Sequence, residues 1–287
     1  MHTTLVSTAL LASHLEDPRW LVFDVRHELS SAQANNAQAG RQAFFTGHIP
    51  GAQFLHMDDE LSARKTGSNG RHPLPEREHF ARLMAAQGVN QDSQLVIYDA
   101  QGGMMAARLW WMMRWIGHEA VAVLDGGFPA WQVAGLPLES GSATPRPAGD
   151  LQLTASLVPT VSAADLLANL DGRTLKVIDA RAPDRFRGEN ETLDPVGGHI
   201  PGAQNRFFRD NLGPDGHFKP APELRKAFDA ILGPTPPESV VAQCGSGITA
   251  CHNLLAMEIA CLKGARLYPG SWSEWCADPT RPTATGD

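Results

Sequence analysis

The chain has 287 residues, of which 43% are hydrophobic, and its formal net charge is −7 at pH 7. This length allows two ordinary domains, each with a substantial core. The acidic balance, without a basic cluster, argues against nucleic acid or an anionic membrane as a partner. No stretch approaches the roughly 18 apolar residues that a membrane span needs, and the amino terminus lacks the basic-then-apolar order of a signal peptide.

All four cysteines lie near the carboxyl end, from Cys244 onward, and none has CxxC spacing. A secreted disulfide framework would distribute them differently, so we expect a reducing, cytoplasmic setting. Cys251 and Cys261 lie in an apolar helix pattern and are expected to pack, with a redox role open for an exposed one. No His/Cys cluster has zinc spacing, so the sequence predicts no metal and no other cofactor.

Helices and strands alternate along the first half of the chain. Ser7 can cap the first helix, and short apolar runs indicate buried strands. The predicted elements are the helix Thr8–Leu15, a strand from Leu21, the helix Glu76–Gln87, a strand from Leu95, the helix Met104–Trp115, the strand Ala120–Leu124 and a short helix ending near Trp131.

The second half repeats this alternation. Apolar strands separated by amphipathic helices predict an α/β fold whose mostly parallel sheet is covered by helices on both faces. The predicted elements are a helix from Ser162, a strand from Leu175, the helix Pro222–Leu232, the strand Val240–Gln243, the helix Ala250–Cys261, the strand Ala265–Tyr268 and a helix near Trp272.

Collinear motifs show that the two halves are a duplication. Residues 47–52 and 198–203 both read GHIPGA, and Asp24-x-Arg26 returns as Asp179-x-Arg181. The Pro-, Gly- and Ser-rich stretch between the halves indicates a linker. We therefore expect a domain over residues 1–140, a linker over 141–158 and a second domain over 159–287.

One loop of the second half carries the chemistry. The apolar run 240–243 ends in Cys244, and Gly245, Ser246 and Gly247 follow before a helical segment. Ligands of parallel sheets bind beyond the carboxyl ends of the strands, where loop N–H groups and a helix start favour negative charge. A thiol there is a candidate nucleophile. The aligned residue of the first half is Asp99, which cannot carry sulfur, so that half is predicted to be non-catalytic.

These duplicated motifs, with the cysteine in the second copy alone, resemble the tandem-domain rhodanese-like sulfurtransferases over nearly the whole chain. The resemblance implies two rhodanese-like domains and an enzyme that carries sulfur as a persulfide on Cys244. The uncharged loop is similar to that of the members that use 3-mercaptopyruvate, whereas thiosulfate-preferring members carry Arg and Lys in place of Gly245 and Ser246. The resemblance also implies that four residues of this loop bind the substrate: Gly245, Gly247, Ile248 and Thr249.

The family's Ser–His–Asp arrangement implies further catalytic residues. Ser246 matches the serine, and His72 lies in the segment that holds the family's histidine. Asp58 is the expected aspartate, although a two-residue length difference leaves Asp59 open. The resemblance places the histidine and the aspartate in the non-catalytic domain, and the site between the domains.

Two arginines bind the donor carboxylate in the family. The first falls on Arg187, and Arg185, two residues before it, is a second candidate substrate ligand that can act with it. The second has no counterpart, because residues 191–195 read ETLDP. The loop still favours 3-mercaptopyruvate or a related small donor, and thiosulfate is the alternative donor.

Two rival functions follow from the same loop. A cysteine phosphatase would need an Arg six residues after the cysteine to bind phosphate, and Ala250 stands there, which counts against it. A persulfide carrier in a sulfur relay would keep Cys244 yet turn over small donors poorly. The expected partners are a small sulfur donor and a thiol or cyanide acceptor, with a reducing protein such as thioredoxin as a candidate. A monomer is expected because the duplication already supplies a second domain.

Overall fold

The computed structural model of the chain describes residues 1–27 and 38–287. These residues form two compact units. The first comprises residues 1–63, 75–157 and 214–217, and the second comprises residues 64–74, 158–213 and 218–287. The segment 64–74 thus belongs to the second unit although it lies within the first half of the sequence, a placement that the linear repeat did not predict.

The first unit contains a five-stranded sheet with the strand order β1-β5-β4-β2-β3, and its strands pair in parallel. Its elements are β1 (Leu5–Val6), α1 (Thr8–Ala12), β2 (Trp20–Asp24), α2 (Ala39–Thr46), β3 (Gln53–Phe54), α3 (Arg77–Ala86), β4 (Gln94–Tyr98), α4 (Ala106–Trp115), β5 (Val121–Leu124) and α5 (Gly127–Val133).

The second unit contains a four-stranded parallel sheet with the order β7-β6-β8-β9. Short 3₁₀ turns cover Phe208–Asn211 and Pro237–Ser239. Its elements are α6 (Ala163–Gly172), β6 (Lys176–Asp179), α7 (Pro183–Arg187), β7 (Gln204–Asn205), α8 (Ala221–Leu232), β8 (Val240–Gln243), α9 (Thr249–Ile259), β9 (Arg266–Leu267) and α10 (Ser271–Trp275). The predicted α/β fold with parallel sheets and flanking helices is confirmed.

Local sequence signals account for several of these elements. The Ser7 hydroxyl accepts a hydrogen bond from the N–H of Leu10 and begins α1, as the sequence predicted. Ser162 forms a capping box with Asp165 at the start of α6. In α8 the buried residues Leu224, Phe228 and Leu232 recur every four positions, so one stripe of the helix packs on its unit.

Strand register places the chemistry at one edge of each sheet. Asp24 of β2 lies opposite Tyr98 of β4, and Asp179 of β6 lies opposite Gln243 of β8. Asp99 and Cys244 each follow the last residue of a central strand. Both therefore lie at the carboxyl edge of a parallel sheet, where such folds bind ligands.

Within residues 1–27 and 38–287, no helix combines the length and apolar character needed to cross a membrane.

Candidate active site

Cys244 lies at the end of β8, and its side chain is almost completely buried. Its N–H donates to the Ser271 hydroxyl at 3.1 Å, and its sulfur accepts from the N–H of Gly247 at 3.1 Å. Gly247 has a φ of +80°, a conformation that side chains rarely adopt, so glycine lets the loop curl back toward the sulfur. Helix α9 begins at Thr249, directly behind the loop, and Ile248 precedes it as a buried residue. The positive end of α9 favours negative charge on the sulfur.

Ser246 and His72 lie together in the second unit. His72 Nδ1 and Ser246 Oγ are joined by a 2.8 Å hydrogen bond, and both residues are more than nine-tenths buried. The family resemblance implied this pairing, although it placed His72 in the first domain, whereas residues 64–74 belong to the second unit. A buried hydroxyl–imidazole pair two residues from a thiol can hold and return a proton.

An Asp–Arg pair supports the loop from β6. Arg181 donates to both carboxylate oxygens of Asp179 and to the carbonyl of Gly198, and its guanidinium lies 4.8 Å from the Trp272 ring centroid. Burial lowers the pKa of Arg181, but the charges of Asp179, Glu191 and Cys244 outweigh it and raise the pKa. The predicted structural ion pair is thus present, with its positive charge near the sulfur.

The first unit contains the same pair and the same loop frame. Arg26 donates to Asp24 and to the Gly47 carbonyl, which mirrors Arg181. The Asp99 carbonyl accepts from the N–H of Phe128 at 2.8 Å. In the second unit the Cys244 carbonyl accepts from the N–H of Trp272 at 2.9 Å. The two loops are therefore built alike.

Asp99 occupies its loop with a carboxylate where the other unit has sulfur. One oxygen accepts from the N–H groups of Gln101 and Gly103, both at 2.9 Å. The other accepts from those of Met105 and Ala106, at 2.7 and 3.0 Å. Four converging N–H donors show that this loop type is an anion cradle. In the first unit the chain's own carboxylate fills it.

Arg185 and Arg187 differ in their surroundings. An ideal Cβ atom built on Gly245 would lie 3.7 Å from both terminal nitrogens of Arg185, so Arg185 adjoins the cysteine loop. The Arg187 guanidinium instead makes two hydrogen bonds to the exposed Glu189. Of the two arginines, the structure brings Arg185 beside Gly245, the residue after Cys244, and it pairs Arg187 with a surface carboxylate.

Residues 191–195, which stand where the family has its second arginine, supply carboxylates that bind Arg185. Glu191 accepts from Arg185 Nε and Nη2 at 2.9–3.1 Å, and Asp194 accepts from Nη2 at 3.4 Å. Both carboxylates are nearly buried. Asp194 also binds Arg71, a residue that the sequence reasoning passed over. No sequence motif could have linked Arg71 to Asp194 across 123 positions.

Asp58 lies in the first unit, close to two histidines. Its Oδ2 is 3.5 Å from His27 Nε2, and one ligand atom each from His27, His56 and Asp58 lie within 4.8 Å of one another. His56 Nδ1 is 3.2 Å from the neighbouring Asp59 carboxylate. These are the residues, within the described part of the chain, whose donor set could suit a transition metal. Sequence spacing did not reveal this cluster, since His27 and His56 follow different strands.

The remaining cysteines divide by exposure. Cys251 is buried in α9 and donates its S–H to the Gly247 carbonyl, so its predicted packing is confirmed. For Cys261 the packing prediction was wrong: α9 ends at Ile259, and Cys261 follows with a φ of +58° and an exposed side chain. Cys276 is buried, which raises the pKa of its thiol to about 11. None of the four cysteines, all within the described residues, forms a disulfide.

The chain thus combines two parallel sheets, an Asp–Arg ion pair in each unit and a buried thiol at the end of one central strand. The family model described as the rhodanese-like domain matches residues 7–134 and 162–278. The chain belongs to the rhodanese-like family.

The relatives narrow this class to sulfurtransferases. The chain is 47% identical to a probable 3-mercaptopyruvate sulfurtransferase from Pseudomonas aeruginosa over 99% of this chain and 98% of the relative. It is 37% identical to a putative thiosulfate sulfurtransferase, SseB, from Mycobacterium tuberculosis over 98% and 97%. The crystal structure of SseA from Escherichia coli, a 3-mercaptopyruvate sulfotransferase, superposes with a TM-score of 0.80 at 35% identity, covering 94% of this chain and 99% of that one. The chain is thus a sulfurtransferase enzyme.

Proposed function

We propose that this sulfurtransferase takes sulfur from 3-mercaptopyruvate, carries it as a persulfide on Cys244 and passes it to a thiol or to cyanide. The observation that carries the proposal is the loop itself: a buried thiol held by a backbone N–H at 3.1 Å, with the Ser246–His72 pair two residues away. Neutral hydroxyl and N–H donors suit an α-keto acid better than a sulfonate-like dianion, which favours Arg or Lys in the loop.

The bonds, electron pairs and protons of this sulfur transfer balance without a cofactor. The Cys244 thiolate attacks the sulfur of the donor, a sulfur–sulfur bond forms and the donor's carbon–sulfur bond breaks. The electron pair of that bond goes to the enolate of pyruvate, and the proton of the donor thiol ends on the methyl carbon. In our scheme Ser246 and His72 hold that proton between the two positions. A thiolate acceptor then attacks the outer sulfur and restores Cys244.

The loop residues have supporting roles in this scheme. Gly245 and Gly247 let the backbone approach the transferred sulfur. Ile248 precedes α9 and Thr249 begins it, and the positive end of this helix stabilises the persulfide anion. Arg185 is our first choice for the donor carboxylate, because it adjoins Gly245. Arg187 as a ligand and Asp58 as a catalytic residue stay predictions.

Thiosulfate is the second candidate donor. The specific observation in its favour is the guanidinium group of Arg185 beside the loop, which could bind a sulfonate oxygen. A persulfide carrier with little turnover of small donors is the other alternative. In our proposal the first domain, over 1–140, is non-catalytic because Asp99 fills its cradle, the linker covers 141–158, and the domain over 159–287 is catalytic.

The cellular setting is also proposed. Four cysteines without a disulfide suit a reducing compartment, so we place the enzyme in the cytoplasm. We propose a monomer, with thioredoxin-type dithiols among the acceptors that remove the persulfide sulfur.

Steady-state kinetics with 3-mercaptopyruvate and with thiosulfate test the proposal. We expect the higher kcat/KM with 3-mercaptopyruvate and no sulfur transfer by Cys244→Ser. Cys261→Ser is the matched control, because Cys261 is exposed and should tolerate the change. A higher kcat/KM with thiosulfate would overturn the donor, and sulfur transfer by Cys244→Ser would overturn the nucleophile. Slow turnover of both donors by a protein that still accepts persulfide sulfur would favour the carrier.

A further inference from the structure

A guanidinium group from a distant segment fills the space beside the cysteine loop. An ideal Cβ atom built on Gly245 would lie 2.7 Å from Arg71 Nη2, closer than real Cβ contacts come. The side chain of Arg71 therefore occupies the volume that a side chain at position 245 would need. Thiosulfate-preferring rhodaneses have an arginine at that loop position, whereas here glycine leaves room for an arginine from residues 64–74.

Hydrogen bonds fix Arg71 to the loop. Its main-chain N–H donates to the Ser273 hydroxyl at 3.0 Å, and the Ser273 N–H donates to the Gly245 carbonyl at 3.0 Å. Its Nη1 donates to Asp194, a residue whose side chain is only 3% exposed. Ser273 thus binds the main chain of Arg71 and Asp194 binds its guanidinium group, so the orientation of the side chain is fixed.

Carboxylates of one short stretch, residues 191–195, bind both Arg71 and Arg185. Asp194 binds both guanidinium groups, and Glu191 binds Arg185 through Nε and Nη2. Arg71 Nη2 and both terminal nitrogens of Arg185 lie near Gly245. Among the described residues, Arg71 Nη2 and Arg185 Nη1 have no hydrogen-bond acceptor. Two guanidinium edges therefore face the residue that follows Cys244.

We propose that Arg71 determines donor specificity: together with Arg185 it binds the carboxylate of the sulfur donor beside Gly245. The inference rests on the proposed function and identifies the second arginine that residues 191–195 lack. The acids in that stretch do not bind the donor; they hold the two guanidinium groups in place. Because two arginines face two nearly buried carboxylates, the donor is recognised through directed N–H bonds more than through net charge.

Arg71→Ala and Arg71→Lys test the proposal, with Arg225→Ala as the matched control because Arg225 forms an exposed pair with Asp229. Two donors are compared: 3-mercaptopyruvate, and mercaptoacetone, which lacks the carboxylate. We expect Arg71→Ala to lower kcat/KM for 3-mercaptopyruvate about 10- to 100-fold, mainly through KM, as expected for a lost charge-assisted hydrogen bond. Arg71→Lys should fall between, and mercaptoacetone should change less than about twofold. An equal loss with both donors, or no loss with 3-mercaptopyruvate, would overturn the proposal.

Binding of pyruvate separates this inference from the donor assignment. Pyruvate carries the same keto-acid carboxylate but transfers no sulfur, so its affinity for the Cys244→Ser protein reports the carboxylate site alone. We expect Arg71→Ala in that background to weaken pyruvate binding about tenfold or more. If the wild-type enzyme preferred thiosulfate, the donor assignment would be wrong, but weaker pyruvate binding by the Arg71→Ala variant would still support the role of Arg71. Unchanged pyruvate affinity would sink the role of Arg71 whatever the donor.

Gly245→Ala supplies a second check on the same contact. The added methyl group would displace Arg71 Nη2, so KM for 3-mercaptopyruvate should rise in the wild-type background. In the Arg71→Ala background the same substitution should add less than about twofold, because the displaced group is already absent. Fully additive effects would contradict the contact.

Discussion

Asp99→Asn removes the negative charge that the loop N–H groups of the first unit bind, and it keeps nearly the same side-chain shape. The native carboxylate accepts four backbone N–H bonds at 2.7–3.0 Å and is completely buried. An asparagine offers one oxygen, which keeps two of these bonds, and one NH₂ group, which faces the other two N–H donors. Two hydrogen bonds to a charged group are lost, at about 1.5–3 kcal/mol each. We therefore expect the free energy of unfolding to fall by about 3–6 kcal/mol.

Urea unfolding followed by far-UV circular dichroism measures this change. Asp92→Asn is the matched control, because Asp92 is exposed in the loop before β4 and should cost less than about 0.5 kcal/mol. Hydrogen exchange at the amides of Gly103 and Met105 would localise the effect, since these N–H groups lose their acceptors or find weaker ones. A loss below about 1 kcal/mol for Asp99→Asn would refute the view that the loop is an anion cradle whose donors need a charge.

Three further predictions concern individual side chains. His72→Asn should lower kcat with 3-mercaptopyruvate about 100-fold while leaving the fold intact by circular dichroism, and an unchanged kcat would remove His72 from proton transfer. Arg187→Ala should leave KM nearly unchanged, whereas Arg185→Ala should raise it about tenfold; the reverse order in steady-state assays would return the carboxylate to Arg187. Maleimide labelling at pH 8, read by peptide mass spectrometry, should modify Cys261 far faster than Cys276, because burial raises the pKa of Cys276 to about 11; equal rates would contradict this assignment.

The sequence predicted the frame of the site because its parts are encoded locally or twice. The strand Val240–Gln243 has the predicted bounds, since its apolar run stops at a cysteine followed by glycine. The repeated Asp-x-Arg motif predicted the ion pairs of Asp24 and Asp179, because a motif kept in both copies must serve the shared fold.

The arginines show where local reasoning failed. The sequence pattern gave no helix at residues 183–187, yet α7 forms there. Residues two apart on an α-helix point about 200° apart around its axis, so Arg185 faces the loop while Arg187 faces Glu189. Without the helix, the two positions looked interchangeable. Arg71 was missed for another reason: its partners Asp194 and Ser273 are distant in sequence, so tertiary packing alone brings them together.

The burial of Cys261 was predicted wrongly because the sequence pattern did not show where α9 ends. The apolar pattern continued through residue 261, but α9 ends at Ile259, and the chain turns with Cys261 in a left-handed conformation. Helix ends depend on backbone capping, which hydrophobic periodicity does not report.

The persulfide on Cys244 is the central claim, and peptide mass spectrometry of the enzyme after donor treatment tests it most directly. Incubation with 3-mercaptopyruvate, followed by removal of excess donor, should add one sulfur atom to the peptide containing Cys244. A thiol acceptor should remove it. Cys244→Ser should gain no sulfur, and Cys261→Ser should behave as the wild type. Sulfur found on Cys251, Cys261 or Cys276 but not on Cys244 would contradict the mechanism.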